Sequence, residues 1–187
     1  KVLDVGANIG YMSMALSSTG LDVEAFEPQP ELFNLLFRNA KSANCHNVAL
    51  SSSSGIAKMP RVRYGDKGNY GGLGIGDHSA LGSITVPTRT LDSYQFLDVG
   101  LIKIDVEGHE LPVLMGAMET IARCRPILYA EDDRADKRLA LRAFITSLGY
   151  SIEEHKPALY RENNYLGLKK NIWDKYYVSE NLICRPT

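Results

Sequence analysis

Cysteine is scarce in this sequence: three residues in 187, Cys45, Cys124 and Cys184, odd in number and far apart. They form no CxxC pair, which argues against a disulfide framework and against a structural zinc site. A reducing, cytoplasmic compartment is the simplest setting. Long apolar runs are missing as well; none approaches the roughly 20 residues that span a bilayer. Neither sign of charge dominates, since 21 Lys and Arg stand against 22 Asp and Glu for a net charge of -1. That balance gives no electrostatic ground for a nucleic-acid or acidic-membrane partner. The sequence opens without an initiator Met, and no signal peptide is expected from its first residues. Its opening "KVLDVG" already reads as a buried strand, so an N-terminal trimming of the domain is expected. No internal repeat is visible, and nothing assigns an oligomeric state. What is present is an ordinary apolar fraction of 44% in a length suited to one domain with a real core.

Apolar runs alternate with helical patterns, which predicts a mostly parallel sheet covered on both faces. Strands are expected at Val2 to Val5, Val23 to Phe26, Val48 to Leu50, Leu101 to Asp105 and Ile127 to Ala130. Helices are expected from Tyr11 to Ser18, after Pro30, from Leu111 to Ala122 and around Leu141 to Leu148. Gly20 and Gly149 stand where left-handed caps end two of them. Ile84 to Val86 alternates like a strand. The end of the chain reads as antiparallel: Ser151 to Glu154, Ala158 to Arg161, and Asn181 to Cys184. The segment from about 60 to 82, "YGDKGNYGGLGIGDHSALG" within it, is too rich in glycine for a long helix or a packed strand run and reads as an excursion. The order fits an α/β doubly wound sheet with an antiparallel C-terminal edge, three layers α/β/α.

The strongest local signal is "VLDVGANIGYMS". Asp4 ends the first strand, Gly6 opens a turn and Gly10 leads into a helix, beyond the carboxyl ends of the strands where open sheets bind ligands. Glu27 ends the next strand about 20 residues on, the place of an acid that binds two ribose hydroxyls. Three residues separate Gly6 from Gly10, and position 8 is Asn, so the pattern is not GxGxxG. This spacing disfavours a dinucleotide pyrophosphate and suits S-adenosylmethionine. On that reading the bend takes the cofactor's carboxylate and Asp4 its ammonium, and Ser51, after the third strand, lies at the adenine edge. An NAD-dependent oxidoreductase or epimerase, and a non-catalytic cofactor-binding module, are the competing readings.

The segments "VLDVGANIGYMS", "EAFEPQPELFNLLFRNA", "TLDSY", "LIKIDVEGHELPVLMGAMETI" and "RPILYAED", in that order, resemble the FkbM-type methyltransferases. The match runs from Lys1 to about Asp132, with "KIDVEGHE" its most specific element. The resemblance implies a class I Rossmann-like fold, and the length of the chain a single domain, 1–187. It also implies methyl transfer from S-adenosylmethionine to a hydroxyl of a sugar, glycan or small natural product. By that match Asp4, Gly6, Asn8 and Glu27 fall on cofactor-binding positions. The "SSSS" after the third strand departs from the acid often found there, and the part after Asp133 matches only loosely.

A hydroxyl needs a base or a metal to react near neutral pH. Asp105, Glu107, His109 and Glu110 cluster after the fourth parallel strand, and Glu131 ends the fifth. Asp105, His109 and Glu131 are the catalytic candidates. His109 suits a general base, with an ordinary pKa of about 6.5; otherwise it is a helix-start residue. Glu107 and Glu110 suit the first turn of a helix, where negative charge is favoured. Lys103 shares a strand face with Asp105, and an ion pair with Glu131 is its expected partner. Asp105, Glu131 and Asp132 are the candidate ligands of an Mg²⁺ ion, which takes oxygen donors. In the glycine-rich segment Tyr64, Asn69, Tyr70 and His78 are candidates for a substrate lid. Tyr160, Tyr165, Trp173, Tyr176 and Tyr177 could stack on a sugar ring.

Overall fold

The computed structural model describes residues 1–63, 72–77, 79–158, 160, 162–163, 167, 169–170 and 179–187. The chain runs β1 (Val2–Val5), α1 (Tyr11–Ser17), β2 (Val23–Phe26), α2 (Pro30–Asn39), β3 (Asn44–His46), β4 (Ala49–Leu50), β5 (Gly55–Pro60) and β6 (Ser83–Arg89). It continues through β7 (Leu101–Ile104), α3 (Glu110–Met115), α4 (Met118–Cys124), β8 (Ile127–Glu131), α5 (Arg138–Ser147), β9 (Tyr150–His155) and β10 (Asn181–Pro186). Among the described residues no helix is long and apolar enough to cross a membrane.

Seven strands form the main sheet in the order β3-β2-β1-β7-β8-β10-β9. The first five are parallel, and β10 and β9 add an antiparallel edge. The order reverses between β1 and β7, which opens a crevice at the carboxyl ends of those strands. β1 is buried at all four positions, as a central strand covered on both faces must be. Leu3, Val5, Ile102, Ile104, Leu128 and Ala130 share one face and pack with Val113, Leu114, Leu141 and Ile145 of the following helices. On the other face Leu36 of α2 packs with Ala7 and Ala25.

Alternation leaves a polar stripe on that second face, formed by Asp4, Lys103, Asp105 and Glu131. Lys103 lies directly across from Asp4 in the β1–β7 register. Its Nζ stands 3.0 Å from Asp4 Oδ1 and 3.5 Å from Asp105 Oδ2, and donates to the Gly6 carbonyl at 2.9 Å. Ser13 of α1 donates to the other Asp4 oxygen at 2.5 Å. The expected Lys103–Glu131 pair is therefore replaced by Lys103–Asp4. On β8 the residue opposite Lys103 is Tyr129, and Glu131 lies two residues farther along. The two acids beside Lys103 raise its pKa against the opposing effect of burial.

Three other expectations change. The third strand of the main sheet is Asn44–His46, not Val48 to Leu50. Ala49–Leu50 instead joins a second sheet of order β4-β6-β5, in which β5 and β6 form an antiparallel hairpin. The single helix expected from Leu111 to Ala122 is two, broken at Gly116. A Cβ on Gly116 would stand 2.0 Å from the Ser51 carbonyl oxygen, so this backbone contact requires glycine. Of the strand expected at Ala158 to Arg161, Ala158 and Tyr160 lie in no strand, and the other two residues are outside the described set.

Replacing Lys103 by Met leaves the Asp4 charge buried without its cation. The expected loss is about 3–5 kcal/mol, read as a lower urea midpoint, with partial recovery when Asp4→Asn is added. A midpoint unmoved by Lys103→Met would show that the pair contributes nothing to stability.

Candidate active site

A cavity of about 520 Å³ opens at the tips of β1, β2 and β7. One wall is the bend after β1, where Gly6, Asn8 and Gly10 all take left-handed backbone (φ +78°, +52° and +87°). A Cβ on Gly6 would stand 1.8 Å from the Asp105 carbonyl oxygen, so glycine is required by packing as well as by φ. Asn8 tolerates its conformation by accepting the Ile9 N–H on its own Oδ1 at 2.7 Å. Gly6 and Asn8 line the cavity; Gly10 packs behind it against Leu36.

Glu27 faces this bend across the cavity. It is buried, and its two oxygens accept N–H groups from Asn8 at 2.9 Å and Gln29 at 2.8 Å. Burial pushes its pKa up to about 7, against the opposing pull of those two N–H donors. Asp4 does not line the cavity. It lies beneath the bend with both oxygens engaged by Lys103 and Ser13, so it holds the bend in place.

The other end of the cavity is acidic. Asp105, Glu107 and Glu131 each bring one carboxylate oxygen to within 4.8 Å of the others. Burial, and then the neighbouring charges of Asp105 and Glu107, push the Glu131 pKa up to about 9. Among the described residues its buried Oε2 has no hydrogen-bond partner. Glu107 has left-handed backbone (φ +55°) and accepts from Arg134 at 2.7 Å. Glu107, expected only as a helix-turn acid, takes the place expected for Asp132. Asp132 follows Glu131 in the chain and points to the opposite side, where Arg142 reaches it at 2.6 Å and Arg138 at 3.2 Å. Glu110 does behave as an acid of the first helical turn, accepting from the N–H groups of Gly108 (2.9 Å) and Val106 (3.3 Å).

His109 also lines the cavity. Burial and the Lys137 charge lower its pKa, so the ring is neutral near pH 7. Its Nε2 lies 3.0 Å from the hydroxyl of Ser51, which the sequence had placed at an adenine edge. Leu73 and Ile75 form an apolar part of the wall. Between them Gly74 lies so close to Glu107 that a Cβ there would be 2.5 Å from its carbonyl oxygen. Ile75 is seated on the small sheet with Ala49, Met59 and Val86. The sequence singled out this glycine-rich segment but not these wall residues; apolar side chains set between glycines were the available signal. Tyr64, Asn69, Tyr70 and His78 lie outside the described residues, as do Tyr165, Trp173, Tyr176 and Tyr177. Tyr160 is described but does not line the cavity.

A sheet of this order, with a ligand-sized cavity at its switch point, is the class I methyltransferase architecture. The chain belongs to the methyltransferase FkbM domain family, which it matches over residues 4–165. It is 35% identical over 121 residues to the hexuronic acid methyltransferase AglP of Haloferax volcanii, covering 60% of this chain and 48% of that protein. The chain thus spans about half the length of that curated relative. Among solved structures it is similar to the methyltransferase FkbM of Methylobacillus flagellatus KT (TM-score 0.63, 20% identity, 98% of this chain and 43% of that one). It is also similar in fold to the magnesium protoporphyrin IX methyltransferase ChlM of Synechocystis PCC 6803, solved with bound SAM (TM-score 0.52, 13% identity, 100% and 69%).

Because its folded-state pKa is raised, Glu131 retains a proton in the native protein that it loses in the unfolded chain above about pH 4.5. Its contribution to stability is therefore present at low pH and lost as pH rises toward 9. Glu131→Gln, a neutral stand-in, is expected to melt like the parent at pH 5 and above it at pH 9. Thermal melts that stay parallel across that interval would contradict the assignment.

Proposed function

We propose that this chain is an S-adenosylmethionine-dependent O-methyltransferase acting on a hydroxyl of a sugar, glycan or small natural product. The observation that carries the reading is the pairing, across one cavity, of the left-handed Gly6–Asn8 bend with the inward-facing Glu27 carboxylate. The bend leaves room for the amino-acid end of the cofactor, and Glu27 has two oxygens for the ribose diol. The cofactor, when bound, supplies a sulfonium methyl and leaves as a neutral thioether once the acceptor oxygen has taken that methyl. The likeness to AglP supports a carbohydrate acceptor. Three free thiols support the reducing, cytoplasmic setting.

The chain's own task is to orient the acceptor and remove its proton. Neutral His109 is the base. Glu131, protonated near pH 7, donates a hydrogen bond to the acceptor, and Asp105 accepts one. The apolar wall of Leu73 and Ile75 keeps water from competing. The unpartnered Glu131 oxygen also favours a second reading, in which Asp105, Glu107 and Glu131 hold a divalent cation that orients the hydroxyl.

Calorimetry with S-adenosylhomocysteine is expected to give a dissociation constant on the order of micromolar, lost in Glu27→Ala. The affinity is expected to weaken as pH falls below about 7, where Glu27 gains its proton. Absence of binding by the parent chain would remove the cofactor reading. Methyl transfer to a sugar and uronic-acid panel, run with EDTA and with added Mg²⁺, separates the two acceptor models: full activity in EDTA eliminates the cation.

A further inference from the structure

The side chains of α1 are turned the wrong way round for an ordinary surface helix, which buries its apolar stripe and leaves its polar groups in water. Ser13 is fully buried, while Tyr11, Met12 and Met14 are 74%, 42% and 43% exposed. Ile9, just before the helix, is 43% exposed. The cause lies beneath: Asp4 needs a donor for its second oxygen, and Ser13 supplies it at 2.5 Å. With Ser13 turned inward, its neighbours on the helix are turned out. No charged residue and no histidine lies between Asp4 and Asp22, so this segment brings no charge to the surface it forms.

Ile9, Tyr11 and Met12 also line the cavity, whereas Met14 does not. A side chain that lines a cavity and is still well exposed stands at its mouth. The half-buried Leu73 and Ile75 line the same cavity, as do the acids Asp105, Glu107 and Glu131. An uncharged apolar rim thus opens onto a site whose acids can hold a hydroxyl. Exposed apolar side chains scattered singly need no explanation, but a set of them rimming a pocket marks what enters it.

We propose that Ile9, Tyr11 and Met12 form a subsite for an uncharged apolar group carried by the acceptor, an alkyl or aromatic substituent near the hydroxyl that is methylated. The proposal rests on the methyltransferase reading for identifying the occupant as an acceptor. On that reading the two ends of the cofactor are taken by the Gly6–Asn8 bend and by Glu27, which leaves the exposed rim to the second substrate. Tyr11 offers a ring face, and Met12 an unbranched chain that adapts to what it meets. A second copy of the chain seated on the same side chains would close the mouth of the cavity.

Carbon-13 spectra of the full chain labelled at its five methionine methyls test this directly. The Met12 signal is identified by its loss in Met12→Leu. The probes are phenyl and methyl β-glucosides, β-galactosides and β-glucuronides, titrated in the presence of S-adenosylhomocysteine; the members of each pair differ only in the aglycone. The phenyl member of at least one pair is expected to shift Met12 with a dissociation constant about tenfold below that of its methyl partner. Met14, Met115 and Met118 are expected not to move. Tyr11→Phe and Met14→Ser are expected to keep the phenyl-to-methyl ratio, and Tyr11→Ser to bring it to about one. No preference for the phenyl member in any pair, or equal shifts at all the methionines, overturns the proposal. A Met12 signal that moves on dilution of the chain alone marks an interface between copies and overturns it too. Failure of the methyltransferase reading appears elsewhere, as absence of S-adenosylhomocysteine binding, and leaves the ratio readable.

Discussion

The buried contact between Lys103 and Asp4 joins the two strands that flank the switch point of the sheet. Asp4 is fully buried, so its charge is tolerable only beside a cation and donors. Lys103 supplies the cation and a second bond to the Gly6 carbonyl. The bend after β1 is thereby anchored to β7, and through Ser13 to α1. Gly6 can then lie against the Asp105 backbone, and the cavity forms between that bend and the tip of β2.

The acids of the site divide by whether a cation reaches them. Asp4 and Asp132 are buried and paired, with Lys103 and with the two arginines of α5, and they hold elements together. Glu27 and Glu131 have no salt-bridge partner among the described residues and face the cavity, and burial raises both. Glu107 and Asp105 belong to both groups, since Arg134 and Lys103 reach them while they line the cavity. On the proposed reading, ligand binding has most to satisfy at Glu27 and Glu131, which the fold leaves without a counter-charge.

The small sheet gives the cavity its remaining wall. β4 and β6 fix Ser51, and Ile75 packs on the same sheet while lining the cavity. Close backbone contacts at Gly74 and Gly116 tie this wall to the loop after β7 and to the junction of α3 and α4. On the proposed reading, the acceptor side of the cavity is thus shaped by an element outside the main sheet.

The central strands, their helices, the glycine bend and Glu27 were legible in the sequence because local patterns encode them: continuous apolar runs, helical periodicity, and glycine where the backbone must turn left-handed. β3 was not, because Asn44–His46 is a short edge strand with little buried surface and no apolar pattern. The displacement of Asp132 was implicit in strand alternation, since its neighbour Glu131 faces the cavity. Strand register decided that Lys103 meets Asp4 rather than Glu131, by putting the first acid directly opposite and the second two residues away. The meeting of Ser51 with His109, 58 positions apart, and the seating of Leu73 and Ile75 in the wall depended on how the two sheets pack together. Composition and periodicity specify what each segment can bury, while only tertiary packing selects which distant side chains share a cavity.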